Sequence, residues 1–136
     1  MNKYQSLVEA AVAARERSYC PYSGFAVGAA LLTADGTVFT GANIESASYT
    51  PTVCAERVAV FTAVHQGQRQ FEAIAVVGGE DGEPVTTYCP PCGVCRQVLA
   101  EFGHTAMPVL LYDGKQIKEL TLGALLPEVF DKHNLD

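Results

Sequence analysis

No apolar run in this sequence is long enough to cross a bilayer. The longest runs, such as FAVGAALL and AIAVVGG, fall well short of the about 20 apolar residues that a transmembrane helix requires. The N-terminal stretch also lacks the apolar core of a signal peptide, because it is interrupted by Glu9, Arg15, Glu16 and Arg17. These absences predict a soluble, cytoplasmic protein with no membrane partner.

Basic residues are also scarce. Nine Lys and Arg residues stand against fifteen Asp and Glu residues, which gives a formal net charge of −6, and the basic residues form no run. Proteins that track the phosphates of nucleic acids need a basic patch. The composition therefore disfavours a nucleic-acid partner and favours a small-molecule substrate.

Internal repeats, low-complexity tracts and linkers are absent as well. The chain has 136 residues, of which 49% are hydrophobic, so it can bury a core without the help of disulfides. A chain of this length suits one domain and leaves little room for a second. We therefore predict a single domain over residues 1–136.

Helical and strand patterns alternate along the chain. The pair Asp35-Gly36 suits a tight turn that joins two strands within residues 25–44. The other predicted elements are helices over 5–18, 54–66 and 92–102, strands over 71–79, 108–114 and 117–122, and a short helix over 123–130. This alternation of strands with helices predicts one central sheet covered on both faces.

Cysteine has the clearest chemical pattern. Thiols in a cytosolic chain should be reduced, so a cluster of them favours metal binding or catalysis. Cys89, Cys92 and Cys95 lie in YCPPCGVCRQ, residues 88–97, and Cys54 lies upstream in TVCAER. The number of these cysteines that share one metal distinguishes a structural site with four ligands from a catalytic site with three.

Spacing separates the three neighbouring cysteines. If CPPC is close to polyproline II, the Cα atoms of Cys89 and Cys92 lie roughly 9 Å apart. Sulfurs on one tetrahedral zinc ion lie only about 3.8 Å from each other. On the first turn of a helix, Cys92 and Cys95 are i and i+3, on one face and about 5–6 Å apart. We therefore predict that Cys92 and Cys95 share a metal without Cys89.

Cys54 is predicted to complete this site from another helix. It precedes a buried helical pattern, and helix N-termini favour thiolates. Thiolates suit Zn²⁺ better than Mg²⁺ or Ca²⁺, which prefer oxygen ligands. Cys54, Cys92 and Cys95 would thus hold zinc and leave its fourth position open, as in catalytic sites.

Charged neighbours of the cysteines also favour catalysis. Glu56 follows Cys54 by two residues, and a carboxylate beside an activated water can move its proton to a leaving group. Three thiolates on Zn²⁺ leave the site with about one negative charge. Arg57 and Arg96 are predicted to offset that charge by donating hydrogen bonds to sulfur.

The same residues also allow a site without hydrolytic activity. A CxxC pair is typical of structural zinc sites and of redox motifs as well. A structural site would need a fourth ligand, and the candidates, none with compelling spacing, are Cys20, Cys89, His65, His104 and His133. Glu56 by itself is typical of an ordinary helix start.

The combination of CAE with PCGVC resembles the signature of zinc-dependent nucleobase deaminases. More narrowly, the chain is similar to the small homotetrameric cytidine deaminases. The similar stretches are YCPYSGFAVGAAL (19–31), GANIESASY (41–49), CAERVAVF (54–61), PCGVCRQVL (91–99) and LLPEVF (125–130). They include both ends and the middle of the chain.

This resemblance implies a three-layer α/β/α sandwich around a five-stranded mixed sheet. It also implies one zinc ion per subunit on Cys54, Cys92 and Cys95, with Glu56 as the proton shuttle. Water would attack C4 of the pyrimidine, and Glu56 would protonate N3 and then the departing amine. The reaction would convert cytidine and deoxycytidine to uridine and deoxyuridine plus ammonia, as in pyrimidine salvage.

The resemblance also implies which residues bind the nucleoside. Phe25 would line the pocket beside the base, and the backbone around Ala55 would hold the base carbonyl. Asn43 and Glu45 would bind the sugar hydroxyls. On the residues alone, the stretch that contains Asn43 and Glu45 is typical of an ordinary polar strand end, and Phe25 of a core position.

Two further residues correspond to positions that complete the site of a neighbouring subunit. These are Tyr49 and Phe130, and their assignment implies that activity requires the homotetramer. On sequence alone Phe130 would be a core residue, and Tyr49 would have no assigned role.

Three other functions compete with deamination of a simple nucleoside. The first is deamination of a cytosine-containing nucleoside antibiotic such as blasticidin S. The second is deamination of a polynucleotide, which the acidic composition and the short loops disfavour. The third, from a different class, is a structural zinc module that binds a partner and catalyses nothing.

Overall fold

The computed structural model of the chain describes residues 2–136. Its elements are α1 Gln5–Ala14, β1 Phe25–Thr33, β2 Val38–Ala42, α2 Ala55–His65, β3 Phe71–Glu80, α3 Gly93–Phe102, β4 Pro108–Tyr112, β5 Ile117–Thr121 and α4 Leu122–Leu125. Short 3₁₀ turns follow α1 at Arg15–Arg17 and end the chain at Lys132–Leu135. The predicted order of helices and strands is confirmed.

The predicted extents of two helices were wrong. The first helix ends at Ala14 and continues only as a 3₁₀ turn, instead of running to residue 18. The last helix is a single turn that starts at Leu122 and ends at Leu125, where we predicted a helix over 123–130. Pro127 explains the early end, because a proline disfavours the helical conformation at the residue before it.

The five strands form one mixed sheet in the order β2-β1-β3-β4-β5. β3 and β4 are parallel, and every other neighbouring pair is antiparallel. Parallel neighbours need a long crossover, which α3 supplies between β3 and β4. The predicted five-stranded mixed sheet is confirmed.

Both faces of the sheet are covered by helices. On β3, Ile74 and Val76 contribute to the apolar core shared with α2 and α3, whereas Ala75 and Val77 contribute to the core shared with α1. Side chains on a strand point alternately to opposite faces, so the apolar run 73–77 of β3 serves both cores. The three-layer α/β/α architecture is therefore confirmed. Among the described residues, no helix is both long and apolar enough to cross a membrane.

The strand directions bring several chain segments to one edge of the sheet. β1 is antiparallel to both β2 and β3, so the ends of β2 and β3 lie beside the start of β1. The register confirms this, because Phe25 pairs with Glu80 and Gly28 pairs with Ala42. α2 follows β2 and α3 follows β3, so both helices begin near this edge.

Gly41 lets α2 approach the sheet closely. A Cβ atom at this position would lie 2.4 Å from the carbonyl oxygen of Ala55 and 2.6 Å from the backbone nitrogen of Ala59. Such distances are far below van der Waals contact, so any side chain here would push α2 away. The first turn of α2 therefore has a fixed position above β2.

Candidate metal centre and active site

The start of α2 and the start of α3 bring three sulfurs together. Cys54 is the N-cap of α2, Cys92 is the N-cap of α3, and Cys95 lies in the first turn of α3. The Sγ atoms of Cys54 and Cys92 are 3.8 Å apart, and all three sulfurs lie within 4.8 Å of one another. Cys95 is fully buried and Cys92 is exposed, so the cluster sits at the surface with one side closed.

No fourth ligand from the described part of the chain joins this cluster. Among residues 2–136, only Cys54, Cys92 and Cys95 form a group of potential ligands close enough to share a metal. Cys89, a candidate fourth ligand on sequence alone, lies instead against Gly78 of β3. Burial raises the pKa of the Cys89 thiol to about 11. A neutral thiol outside the cluster leaves the three-sulfur arrangement open on one side.

Glu56 is a buried carboxyl in the first turn of α2. Only 4% of the residue is exposed. Burial raises the pKa of Glu56 to about 7, and the negative charge of Cys54 acts in the same direction. A carboxyl group with a pKa near neutrality can both accept and release a proton, as a general acid–base group must.

Arg57 is directed at the sulfur cluster. Its Nη2 atom donates a hydrogen bond to the Sγ atom of Cys54 at 3.4 Å. The pKa of Cys54 is lowered to about 5, first by a hydrogen bond from Cys95 and then by the one from Arg57. The Nε atom of Arg57 is buried and has no partner among the described residues. Arg57 therefore supplies positive charge next to the Cys54 sulfur.

Arg96 does not donate to sulfur as we predicted. Its Nε atom donates to the carbonyl oxygen of Pro91 at 2.7 Å, and its Nη1 atom donates to that of Leu125 at 2.7 Å. The prediction failed because carbonyl groups from two segments lie within reach of the guanidinium. Arg96 instead ties the loop before Cys92 to the C-terminal segment.

The N-terminus of α2 has unused backbone donors. No side chain among the described residues caps this helix, because its N-cap residue is Cys54. The first N–H groups of a helix have no partner within the helix. Ala55 is the first residue of α2 and directly follows the N-cap Cys54, so its N–H group is one of those without a partner within the helix.

Asn43 follows the end of β2 and its amide is largely occupied. Its Oδ1 atom accepts hydrogen bonds from Ser18 Oγ at 2.6 Å and from the backbone N of Val27 at 2.9 Å. Its Nδ2 atom donates to the carbonyl oxygen of Phe25 at 2.8 Å. An amide nitrogen has two hydrogens, so one donor of Asn43 remains.

Glu45 binds the turn that precedes β1. Its Oε1 atom accepts from the backbone N atoms of Tyr22 at 3.0 Å and Ser23 at 3.1 Å, and its Oε2 atom accepts from Ser23 Oγ. The Ser23 hydroxyl is the first cause that lowers the pKa of Glu45, so the carboxyl is ionised at neutral pH. Sequence reasoning did not single out Ser23, although it lies in the same YSGF stretch as Phe25.

Phe25 and Cys89 meet over Gly78. A Cβ atom at Gly78 would lie 2.7 Å from Cys89 Sγ and 2.9 Å from Cε2 of the Phe25 ring. Cys89 and Phe25 can therefore occupy these positions only because Gly78 has no side chain. Phe25 is 38% exposed, which is unusual for a phenylalanine in a core. One part of its ring is therefore free to face a ligand at this edge of the sheet.

Comparison with known proteins identifies the family. The sequence matches the cytidine and deoxycytidylate deaminase zinc-binding region over residues 1–111. It is also 50% identical to a cytidine deaminase of Sporosarcina psychrophila, over 96% of this chain and 93% of that protein. The chain belongs to the cytidine deaminase family.

Two further comparisons agree with this membership of the cytidine deaminase family. A cytidine deaminase of Halalkalibacterium halodurans is 48% identical over 97% of each chain. The crystal structure of a cytidine deaminase from Burkholderia pseudomallei superposes with a TM-score of 0.84 at 47% identity, covering 96% of this chain and all of that one. The similarity thus extends from the sequence motifs to the whole fold.

Zinc is the cofactor of this deaminase domain, and the cluster fits it. Three cysteine sulfurs are a typical zinc donor set, whereas hard cations would require oxygen ligands. The Cys54–Cys92 sulfur distance of 3.8 Å equals the separation expected for two sulfurs on a tetrahedral zinc ion, about 3.8 Å. The residues of this member of the cytidine deaminase family therefore suit the metal of the family.

Tyr49 and Phe130 are both highly exposed. Tyr49 is 69% exposed, has a φ angle of 62°, and contacts the ring of Tyr22 edge-on at 6.0 Å. Phe130 is 61% exposed, and its carbonyl oxygen accepts a hydrogen bond from Gln97 Nε2 at 2.7 Å. Neither residue contributes to the core, contrary to what sequence alone predicts for Phe130.

A cavity of about 670 Å³ lies elsewhere on the molecule. It is formed by the end of α3 and the C-terminal segment, and its lining includes His104, Asp131 and His133. None of the residues assigned to the zinc cluster or to the nucleoside lines this cavity, although His104 and His133 were candidate fourth ligands of a structural zinc site. The cavity is therefore separate from the sulfur cluster at the edge of the sheet.

Proposed function

We propose that this protein catalyses the hydrolytic deamination of cytidine and deoxycytidine to uridine and deoxyuridine plus ammonia, as in pyrimidine salvage. One observation carries the proposal. The buried carboxyl of Glu56 lies two residues after Cys54, which is one of three clustered cysteines. Among the described residues, no fourth ligand completes this cluster. This combination is what a hydrolytic zinc site requires, whereas a structural zinc site has four protein ligands.

Cys54, Cys92 and Cys95 would hold one zinc ion per subunit. When bound, zinc supplies Lewis acidity and lowers the pKa of water at its open position. The overall reaction replaces the amino group at C4 of the pyrimidine with an oxygen from water and releases ammonia. Arg57 offsets the excess negative charge of the three thiolates through its contact with Cys54.

Glu56 is the residue to which we assign the proton transfers. Its carboxylate takes a proton from water and gives it to N3 of the base. It then takes the proton of the hydroxyl formed at C4 and gives it to the departing amine, which leaves as ammonia while C4 becomes a carbonyl carbon. The burial of Glu56 supports this role, because it raises the pKa of the carboxyl to about 7 and makes both protonation states accessible. The unpaired N–H group of Ala55 lies next to Glu56 and would hold the carbonyl oxygen of the base.

Asn43 and Glu45 would bind one sugar hydroxyl, Asn43 as a hydrogen-bond donor and Glu45 as an acceptor. The Oδ1 atom of Asn43 has both lone pairs occupied, so Asn43 can only donate its remaining amide hydrogen. The carboxylate of Glu45 can only accept, and Oε2 carries fewer hydrogen bonds than Oε1. A hydroxyl that accepts from Asn43 and donates to Glu45 matches this pair, and Phe25 would contact the base.

We also propose that one catalytic domain over residues 1–136 acts as a cytoplasmic homotetramer with shared active sites. The exposure of Tyr49 and Phe130 is compatible with this assembly, because it leaves both side chains free to contact a neighbouring subunit. The φ angle of Tyr49 supports a functional role as well, since a left-handed conformation at a non-glycine residue is strained. A reducing cytoplasm would keep the metal-binding thiols free.

The experiment that tests this function combines metal and activity measurements. Zinc is quantified in the purified protein, and the loss of cytidine absorbance in the ultraviolet is followed with and without a chelator. We expect cytidine turnover that disappears when zinc is removed and returns when it is restored. Zinc-loaded protein that leaves cytidine unchanged but turns over blasticidin S, or nothing, would overturn the proposal.

A further inference from the structure

The Ser23 hydroxyl connects two residues that bind opposite ends of the proposed nucleoside. Its Oγ atom donates to Oε2 of Glu45 and accepts a hydrogen bond from the backbone N of Phe25 at 3.0 Å. Glu45 is proposed to bind the sugar, and Phe25 is proposed to contact the base. The Ser23 hydroxyl therefore links Glu45 and Phe25 directly through two hydrogen bonds.

This link matters because the turn around Ser23 is exposed and has few other contacts. Residues 21–25 are all exposed. The turn is held by Glu45 Oε1 and by two backbone bonds, from Gly24 N to the Cys20 carbonyl and from Asp81 N to the Gly24 carbonyl. None of these bonds fixes the Oε2 atom of Glu45, and Ser23 Oγ is the group that does.

The acceptor capacity of Glu45 makes Oε2 the oxygen that a ligand can use. Each carboxylate oxygen has about two lone-pair sites. Oε1 already accepts two backbone N–H groups, whereas Oε2 accepts only the hydroxyl of Ser23. A sugar hydroxyl that binds Glu45 would therefore share Oε2 with Ser23.

We propose that Ser23 is a positioning residue for sugar recognition, an inference that rests on the proposed deaminase function. Its hydroxyl holds Oε2 of Glu45 in the direction of the sugar and anchors the start of β1, so that sugar and base are bound at a fixed separation. Ser23 acts through Glu45 and Phe25 and not on the reacting atoms.

The test compares two substrates in two variants. Ser23→Ala removes the hydroxyl and leaves the backbone N–H that binds Oε1. We expect it to raise KM for cytidine about tenfold, the effect of losing support from one hydrogen bond to a charged group, with kcat within about threefold because the chemical step is not involved. For 2′,3′-dideoxycytidine, which lacks the ring hydroxyls, KM should rise less than about threefold.

Controls separate positioning from folding. Ser23→Thr keeps a hydroxyl and should restore a KM for cytidine close to that of the wild type, and Ser6→Ala on the exposed face of α1 should change nothing. Zinc content and thermal midpoint are measured for every variant. If Ser23→Ala does not fold, Ser23→Cys replaces it, because a thiol keeps the volume but is a weak donor. Calorimetric binding of uridine should weaken by the same factor as the KM for cytidine rises.

Three results would overturn the inference. In Ser23→Ala, the KM could rise equally for cytidine and dideoxycytidine, or it could rise for neither substrate. Alternatively, Ser23→Thr could fail to restore the KM for cytidine. In each of these cases a wild-type protein that deaminates cytidine would leave the proposed function standing. A zinc-loaded wild type without activity would overturn the proposed function itself and this inference with it.

Discussion

The sulfur atoms of Cys54 and Cys92 lie 3.8 Å apart, although the two cysteines are 38 positions apart in sequence and begin different helices. This proximity follows from the sheet, because β2 and β3 run in the same direction and end at the same edge. Each strand is followed by a helix that starts there. The metal centre is thus a consequence of strand direction as much as of cysteine content.

Replacing a sulfur of the cluster should remove the metal. Losing a hydrogen-bond partner of a metal ligand typically weakens metal affinity by about 10–100-fold. We expect Cys92→Ser to weaken zinc affinity by more than this, because it removes a ligand itself. Zinc content after dialysis against a chelator measures the effect. Cys89→Ser is the matched control, because Cys89 lies outside the cluster and should retain zinc as well as the wild type does. Equal losses in both variants would restore Cys89 as a fourth ligand.

Glu56→Gln should separate catalysis from metal binding. Glutamine has nearly the volume of glutamate but does not titrate, so turnover of cytidine should fall by about 10²–10⁴. Zinc content and the thermal midpoint should stay near those of the wild type, since Glu56 is not one of the three sulfur ligands. Glu72→Gln, at an exposed position of β3, is the control. Normal turnover in Glu56→Gln would exclude this carboxyl from the mechanism.

Arg57 should matter for zinc retention because it donates a hydrogen bond to a ligand sulfur. We expect Arg57→Ala to weaken zinc affinity by about 10–100-fold, as is typical when a hydrogen-bond partner of a metal ligand is lost. Competition with a chromogenic chelator gives the affinity. Arg57→Lys keeps the positive charge and should recover part of the zinc affinity. Arg69→Ala, on the exposed loop before β3, should not change the zinc affinity. Unchanged affinity in Arg57→Ala would show that the contact is incidental.

The features that could be predicted from sequence depend on local spacing or on periodic patterns. Cys92 and Cys95 are three residues apart, so the geometry of one helical turn was sufficient to pair them. The apolar run within residues 71–79 was sufficient to predict the strand β3, and in the structure this run contributes to both cores. In both cases neighbouring residues contain all the necessary information.

The features that could not be predicted depend on distant segments. Arg96 was expected to face sulfur, but its partners are carbonyl groups of Pro91 and Leu125, the second of which is 29 positions away. The contact between Ser23 and Glu45 forms only because the turn before β1 packs against the segment after β2. Neither polar contact leaves a periodic pattern in the sequence.

The close approach of α2 to β2 predicts a strong effect of one methyl group. Gly41→Ala would place a Cβ atom 2.4 Å from the carbonyl oxygen of Ala55, so α2 must shift away from the sheet. We expect the free energy of unfolding to fall by about 1–3 kcal/mol, as for other overpacked sites. Zinc binding should weaken as well, because Cys54 precedes the displaced turn.

The matched control for Gly41→Ala is Gly93→Ala at the first position of α3. A Cβ atom there would have no neighbour within 4 Å, and alanine favours a helix over glycine by up to about 1 kcal/mol. Gly93→Ala should therefore keep or raise the stability, although it lies directly next to the ligand Cys92. Thermal denaturation measures the stability of both variants, and zinc content measures their metal binding. If Gly41→Ala were as stable and as zinc-rich as Gly93→Ala, the fixed position of α2 above β2 could not be what brings Cys54 to the other two sulfurs.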